Sequence, residues 1–174
     1  EMGIPIDFIA GNSKGAVMGG FYALGYSTDE IIDIISDADW NRLISNEVDR
    51  RKIAFSRKIE DESLLLTVPF SFKTQKEDMQ SSSFKNSLPQ GVVSGDNVIN
   101  LFNSLSVGYS DPVDFSELPV PFLCIATNVI NGKADVLDRG VFSKSLRASM
   151  AIPILFDPVK IDNTLYVDGG LLNN

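Results

Sequence analysis

The sequence predicts an α/β protein, a three-layer sandwich with a largely parallel central sheet. Short apolar runs typical of buried strands alternate with helical patterns, and turns that contain glycine or proline separate them. The length of 174 residues suits one domain, and 44% hydrophobic and 22% charged residues are ordinary values for a globular protein. These observations exclude a disordered chain, a collagen-like chain and a disulfide-rich scaffold.

The N-terminal segment is predicted to run from a strand through two helices. Residues 4–10 form an apolar run typical of a buried parallel strand. The short turn at 11–15 leads into a helix over 16–24 that is rich in small residues, and a glycine follows it. Ser27 and Glu30 have the spacing of a capping box at the start of the next helix.

The middle of the chain is predicted to be more open. Residues 47–62 are rich in charge and indicate an exposed connection. Residues 64–72 predict an edge strand because they contain a proline, and the serine-rich residues 73–90 predict a loop. The strand and loop could together cover a functional site, although an ordinary edge strand and loop is the simpler interpretation. A helix is expected over about 94–105.

The C-terminal segment is predicted to hold strands around one short helix. The predicted strands cover residues 122–128, 134–137, 158–162 and 164–168. Asn131-Gly132 is the turn signal of a hairpin between the first two of them. Ser143 is expected to cap a helix that ends near Met150.

The charge balance limits the partners of the protein. The chain has 15 Lys and Arg against 23 Asp and Glu, which gives a formal net charge of −8. Because such an acidic surface repels phosphate backbones, no nucleic acid partner is predicted. Contact with a membrane surface would have to come from apolar side chains, because charge alone would not attract an anionic lipid. No apolar run is long enough for a transmembrane helix.

The chain contains no histidine and one cysteine. The absence of histidine excludes a Ser-His-Asp triad, a Cys-His dyad and a metal bound by imidazole. The carboxylates show no clustered spacing and the glycines do not match a nucleotide-binding loop, so neither a metal nor a cofactor is predicted. Cys124 lies in a predicted strand and is interpreted as a small buried hydrophobe.

The pattern Gly11-x-Ser13-x-Gly15 stands between a predicted strand and a predicted helix. That setting is typical of a nucleophile elbow, a sharp turn that exposes the serine hydroxyl, with glycines two residues away on either side avoiding clashes. The N-terminus of the following helix would favour negative charge near the serine oxygen. The alternative is an ordinary strand-to-helix turn in which Ser13 only caps the helix.

A serine nucleophile needs a base, and Asp168 is the candidate because it stands at the end of a predicted strand, where α/β folds collect functional groups. Direct contact with Ser13 would orient the carboxylate as a general base. The alternative is a plain Asp-Gly turn, formed with Gly169 and Gly170. Lys14 is a poor partner for Ser13, because adjacent residues on an elbow point apart.

Three segments together closely resemble the patatin-like phospholipases: the motif around Ser13, residues 147–153, and residues 166–170 with Asp168. They occur in the order of that family and span nearly the whole chain. Further pieces resemble the bacterial branch that is often joined to an outer-membrane barrel: 4–7, 88–95 and 118–122.

The resemblance implies a catalytic dyad of Ser13 and Asp168 that hydrolyses acyl esters of lipids without histidine or calcium. It favours an outer-membrane or secreted location, with a cytoplasmic one still open. Asn12 and Lys14 depart from the usual residues of the family motif. The implied substrate is a lipid or phospholipid.

The ends of the chain raise further expectations. The family's glycine-rich oxyanion loop would lie before residue 1, so residues 1–174 are expected to be an acyl hydrolase domain truncated at both ends. Made alone, such a chain is expected to be nearly inactive and to self-associate through an exposed sheet edge. The competing functional interpretation is a catalytically silent domain of the same fold that binds lipid or a partner.

Overall fold

The computed structural model describes residues 5–45 and 93–172. The expected exposed connection at 47–62, edge strand at 64–72 and loop at 73–90 lie outside these residues. The described helices are α1 (Lys14–Ala23), α2 (Thr28–Asp37), α3 (Trp40–Leu43), α4 (Asp96–Leu105) and α5 (Phe142–Ser149). The described strands are β1 (Ile9–Asn12), β2 (Val113–Asp114), β3 (Phe122–Asn128), β4 (Lys133–Leu137), β5 (Arg139–Gly140), β6 (Val159–Ile161) and β7 (Thr164–Asp168).

The α/β class predicted from the sequence is confirmed, and the main sheet is mixed. Its described strands follow the order β1-β3-β7-β6, with β4 also paired to β3. β1 and β3 are parallel. β4 and β7 each pair antiparallel with β3, and β6 pairs antiparallel with β7. The hairpins β3–β4 and β6–β7 account for two of the antiparallel pairs, because short connections can join only antiparallel strands.

The register explains why the ends of β1 and β7 meet. β4 pairs with residues 124–128 of β3, so it takes one side of that strand. β1 pairs with residues 122–125 and β7 with residues 126–128 of β3, which places both on the other side. The last residue of β1, Asn12, is therefore opposite Ile125, and the last residue of β7 is opposite the next residue along β3.

The core lies on the face of β3 that carries Phe122, Cys124 and Ala126, all at most 1% exposed. The ring of Phe142 at the start of α5 lies 5.7 Å from the ring of Phe122, so α5 packs on this face. α1 packs on it as well, because Gly19 stands against the Ile9 and Phe122 side chains.

Several predicted elements agree closely with the structure. The strand predicted over 122–128 has those bounds, and the capping box is present: Ser27 accepts from Glu30 N–H while the Glu30 carboxylate accepts from Ser27 N–H. Gly25 follows α1 with a φ of 104°, as expected for a glycine that ends a helix.

Other predictions are corrected. The first strand begins at Ile9 instead of residue 4, and Ile6 and Phe8 are 47% and 52% exposed. Ser143 does not cap α5, since the helix begins at Phe142 and Val141 precedes it without a side-chain cap. Ser143 is instead a buried residue inside the helix. The small pair β2–β5 was not predicted, because two-residue strands carry too little pattern to identify.

Candidate active site

The turn between β1 and α1 holds Ser13 in an unusual backbone conformation. Ser13 has a φ of 51° and a ψ of −122°, a combination that costs a residue with a side chain about 1–3 kcal/mol. The turn is closed by Ala16 N–H and Val17 N–H, which donate to the Ser13 carbonyl at 3.0 and 3.2 Å. A Cβ on Gly11 would stand 2.5 Å from the Ala16 Cα, so this close crossing of strand and helix needs glycine.

The side chain of Ser13 reaches Asp168. Ser13 Oγ donates a hydrogen bond to Asp168 Oδ2 at 2.6 Å, across 155 residues of sequence. The hydroxyl makes no capping bond to the start of α1. Ser13 is half-buried and Asp168 is buried. The structure therefore brings together the two residues that the sequence put forward as nucleophile and base.

Asp168 is fixed by three further bonds at the end of β7. Its Oδ1 accepts from Gly170 N–H at 2.7 Å, its carbonyl accepts from Thr127 Oγ1 at 3.0 Å, and its N–H donates to the Ala151 carbonyl at 2.9 Å. The Asp-Gly turn and the contact with Ser13 thus coexist, because each uses a different carboxylate oxygen. A carboxylate held in this way is oriented for proton transfer.

The other residues of the two motifs differ in their roles. Gly169 packs directly against the Ile125 carbonyl, where a Cβ would overlap it, and Gly170 supplies the N–H that Asp168 accepts. Gly15 is exposed, and a Cβ there would contact nothing within 4 Å. The space around this position therefore does not require glycine, contrary to the expectation from the motif. Lys14 is exposed beside the nucleophile.

The environment of Ser13 suits developing negative charge on one side and proton acceptance on the other. The first turn of α1 starts at Lys14, directly after Ser13, so the positive end of the helix lies at the elbow. The Asp168 carboxylate contacts the hydroxyl from the end of β7. Serine attack on an acyl carbonyl requires both features.

Ser149 is a site residue that was not singled out from the sequence. Its hydroxyl accepts from Ser13 N–H at 3.1 Å and donates to the Ile125 carbonyl at 2.6 Å. Ser149 lies inside the segment 147–153 that carried part of the family resemblance, so a signal was present. The segment alone gave no indication that this serine touches the nucleophile.

The residues that the structure describes hold no group of three side chains suited to a metal ion. They also include no helix long and apolar enough to cross a membrane. Cys124 is buried at 0% exposure, as interpreted from the sequence, and burial raises the pKa of its thiol to about 12. Such a thiol is unsuited to act as a nucleophile near neutral pH.

A family model and individual relatives of known sequence were compared with this chain, and they point to related families. The sequence matches the family described as patatin-like phospholipase over residues 1–174. It is 28% identical to an uncharacterized NTE family protein of Mycobacterium bovis over 173 residues, which are 99% of this chain and 37% of that protein. It is 30% identical to an uncharacterized NTE family protein of Mycobacterium tuberculosis over 174 residues, which are 100% of this chain and 23% of that protein.

A further relative carries an enzyme name. The chain is 27% identical over 172 residues to the lysophospholipase NTE1 of Meyerozyma guilliermondii, covering 99% of this chain and 9% of that protein. The chain therefore spans well under half the length of these curated relatives.

Proposed function

The chain belongs to the patatin-like phospholipase family, and from this premise we propose that it is a lipid acyl hydrolase in which Ser13 is the nucleophile and Asp168 the base. The observation that carries the proposal is the 2.6 Å hydrogen bond from Ser13 Oγ to Asp168 Oδ2. Family membership supports lipid hydrolysis in general. The lysophospholipase name of one relative agrees with a lipid substrate.

In the first half of the reaction, Ser13 Oγ attacks the ester carbonyl of the lipid. Asp168 Oδ2 takes the hydroxyl proton as the new C–O bond forms, and the carbonyl oxygen becomes an oxyanion. When the oxyanion collapses, the proton passes from Asp168 to the alcohol that leaves. Ser13 then carries the acyl group as an ester.

In the second half, water takes the place of the departed alcohol. Asp168 accepts a proton from the water, whose oxygen attacks the acyl-enzyme carbonyl, and the proton returns to Ser13 Oγ as the fatty acid leaves. The N-terminus of α1 favours the oxyanion in both halves. Further N–H donors are expected from the glycine-rich loop that the family resemblance implies.

Apolar side chains near the dyad support contact with a lipid surface. Asp168 N–H donates to the Ala151 carbonyl, which places the residues after Ala151 beside the end of β7. Ile152 is 40% exposed and Ile154 is 70% exposed. Leu171, three residues after the base, is 56% exposed. Exposed apolar side chains can enter a lipid interface, whereas a net charge of −8 would not attract anionic lipid.

Labelling with a fluorophosphonate probe tests the proposed function, because the probe reacts only with an activated serine. We expect one label on the complete protein, mapped to Ser13 by mass spectrometry, and none on Ser13→Ala. Ser104→Ala is the matched control, since Ser104 is an exposed serine on α4 whose hydroxyl donates to a carbonyl of its own helix turn. An unlabelled, folded wild-type protein would favour the catalytically silent binding domain.

A further inference from the structure

The β-ladder is interrupted where β1 and β7 meet on β3. Ile9 N–H donates to the Pro121 carbonyl at 2.9 Å, and the register pairs Asn12 with Ile125. Every second N–H of a parallel strand faces the same neighbour. Continued at that spacing, the ladder would end with a bond from Ser13 N–H to the Ile125 carbonyl.

Ser149 stands between the two groups that this bond would join. Ser13 N–H donates to Ser149 Oγ at 3.1 Å, and Ser149 O–H donates to the Ile125 carbonyl at 2.6 Å. A single hydroxyl thus accepts from one group and donates to the other, which lets the Ser13 peptide move away from β3. Ser149 is 0% exposed, so its hydroxyl is shielded from competing water.

The segment that follows Ser149 holds the other strand end in a similar way. Asp168 N–H donates to the Ala151 carbonyl at 2.9 Å, so this N–H bonds outside the sheet. Residues 149–151 therefore hold the backbone of the nucleophile and the backbone of the base. Their contacts bring Ser13 Oγ and Asp168 Oδ2 to the same point beyond the strand ends.

We propose that Ser149 is a positioning residue whose hydroxyl holds the Ser13 peptide in the conformation that directs Oγ to Asp168. The inference rests on the proposed function and adds a residue that neither strand supplies. The backbone of Ser13, with its φ of 51°, is stable only while surrounding contacts hold it. The Ser149 hydroxyl is the contact made directly to the Ser13 N–H.

A pair of variants of equal shape separates the hydroxyl from its packing. Ser149→Thr and Ser149→Val place β-branched side chains of nearly the same shape at a buried site, and only threonine keeps a hydroxyl. We expect Ser149→Val to lower kcat on a monomeric p-nitrophenyl ester by about 10- to 100-fold relative to Ser149→Thr, because small misplacements of a nucleophile are costly. KM should stay within about twofold, since ground-state binding does not use this bond.

Ser145→Ala is the control on the same helix, because Ser145 is equally buried one turn earlier and its carbonyl faces Cys124. It should keep wild-type kcat. If neither larger side chain is tolerated, Ser149→Ala against Ser145→Ala removes one buried hydroxyl from each position without adding volume. The melting temperatures of all variants are measured alongside, so that a general loss of structure is recognised.

A second readout does not depend on activity. Hydrogen exchange measured on the peptide that contains Ser13 should be faster in Ser149→Val than in Ser149→Thr, because the Ser13 N–H loses its acceptor. Equal exchange and equal kcat in the two variants would overturn the inference. If the wild-type protein takes no fluorophosphonate label, the proposed function fails, and the exchange rates alone decide whether Ser149 holds the Ser13 peptide.

Discussion

The last turn of α5 contributes to two buried polar regions that are built differently. At the dyad region, formed by Ser13, Asp168 and Ser149, hydrogen bonds of 2.6–3.1 Å join side chains and backbone groups in one connected set. The arginine site, two residues earlier on the same helix, surrounds the side chain of Arg147, which is 2% exposed. The two regions share a helix but differ in what their bonds constrain.

Arg147 is held by backbone carbonyls and by an aromatic ring. Its Nη2 donates to the carbonyls of Ser94 and Asp157 at 3.1 and 3.3 Å, and its Cζ lies 4.4 Å from the ring centre of Phe156. Among the described residues, Arg147 Nη1 and Asp157 Oδ1 are buried without a hydrogen-bond partner. Burial lowers the pKa of Arg147 to about 10, and the negative charges of Asp157 and Asp96 oppose that shift.

The dyad region is expected to govern the reaction rate, and the arginine site is expected to govern the stability of the fold. At the dyad region each bond sets the direction of a reacting group, so a change there should alter the rate while the fold remains. At the arginine site the guanidinium joins the chain before α4 to the chain before β6. A change there should reduce the free energy of unfolding and leave the chemistry of the folded molecules intact. The following variants test that separation, from the largest expected effect to the smallest.

Asp168→Asn should lower kcat by at least about a thousandfold while the protein stays folded. The asparagine Oδ1 can still accept from Gly170 N–H, but its amide nitrogen cannot take the Ser13 proton. Asp135→Asn is the matched control, because Asp135 and Asp168 flank the same residue of β3 and Asp135 accepts from Asn128 and Tyr166. Near-normal turnover in Asp168→Asn, measured by ester hydrolysis, would remove Asp168 from the mechanism.

Arg147→Met should lower the free energy of unfolding by about 2–4 kcal/mol, because the two backbone carbonyls that its guanidinium contacts lose their charged donor. Urea denaturation measures this change, and kcat of the folded fraction at low temperature should stay within about threefold of wild type. Lys144→Met removes a cation from a less buried position on the same helix and should have a much smaller effect. A kcat loss as large as that of Asp168→Asn would contradict the proposed separation.

Gly95→Ala should destabilise the protein more than Gly25→Ala, by about 1 kcal/mol. Both glycines have positive φ, 79° and 104°, so both variants carry the cost of placing a side chain in that backbone region. A Cβ at Gly25 meets open space, whereas at Gly95 it would overlap the Arg147 guanidinium. Equal unfolding free energies in urea would show that the arginine site can move at no cost.

Cys124 lies on β3 beneath α5, and it should produce the smallest effect. Because burial raises its pKa from 9.0 to about 12, the folded protein keeps the thiol proton where the unfolded chain loses it. The resulting stabilisation is complete below pH 9 and is lost as the pH rises toward 12. Between pH 8 and pH 9 the wild type should lose about 0.4 kcal/mol more than Cys124→Ala, as measured by urea denaturation. Identical pH dependence in the two proteins would contradict this assignment.

The sequence predicted the elements with strong local signals. β3 opens with an apolar run over residues 122–126, the capping box at Ser27 is a local pattern, and the strand–turn–helix around Ser13 combines a motif with its context. Ser13 could be named in advance from its motif and Asp168 from its place at the end of a predicted strand, and the family resemblance implied both. The hydrogen bond between them is a tertiary contact, which no local sequence pattern can show.

The bonds of Ser149 and Arg147 could not be predicted for the same reason. Ser149 bonds to Ser13 across 136 residues, and Arg147 donates to Ser94 across 53 residues. The start of α5 was misassigned because Ser143 is a common capping residue, and tertiary packing at Phe142 outweighed that local preference. The first strand was predicted too long because an apolar run alone cannot show where its pairing begins.

The 155 residues between Ser13 and Asp168 have a consequence for biosynthesis. A nascent chain presents the nucleophile before the base that would activate it, because 155 residues separate them. Contacts so distant in sequence also form slowly, because loop closure must precede them. On the proposed function, the hydrolase therefore stays inert toward cellular lipids until its fold is complete. In refolding experiments, fluorophosphonate labelling of Ser13 should accordingly lag behind the recovery of helical circular dichroism.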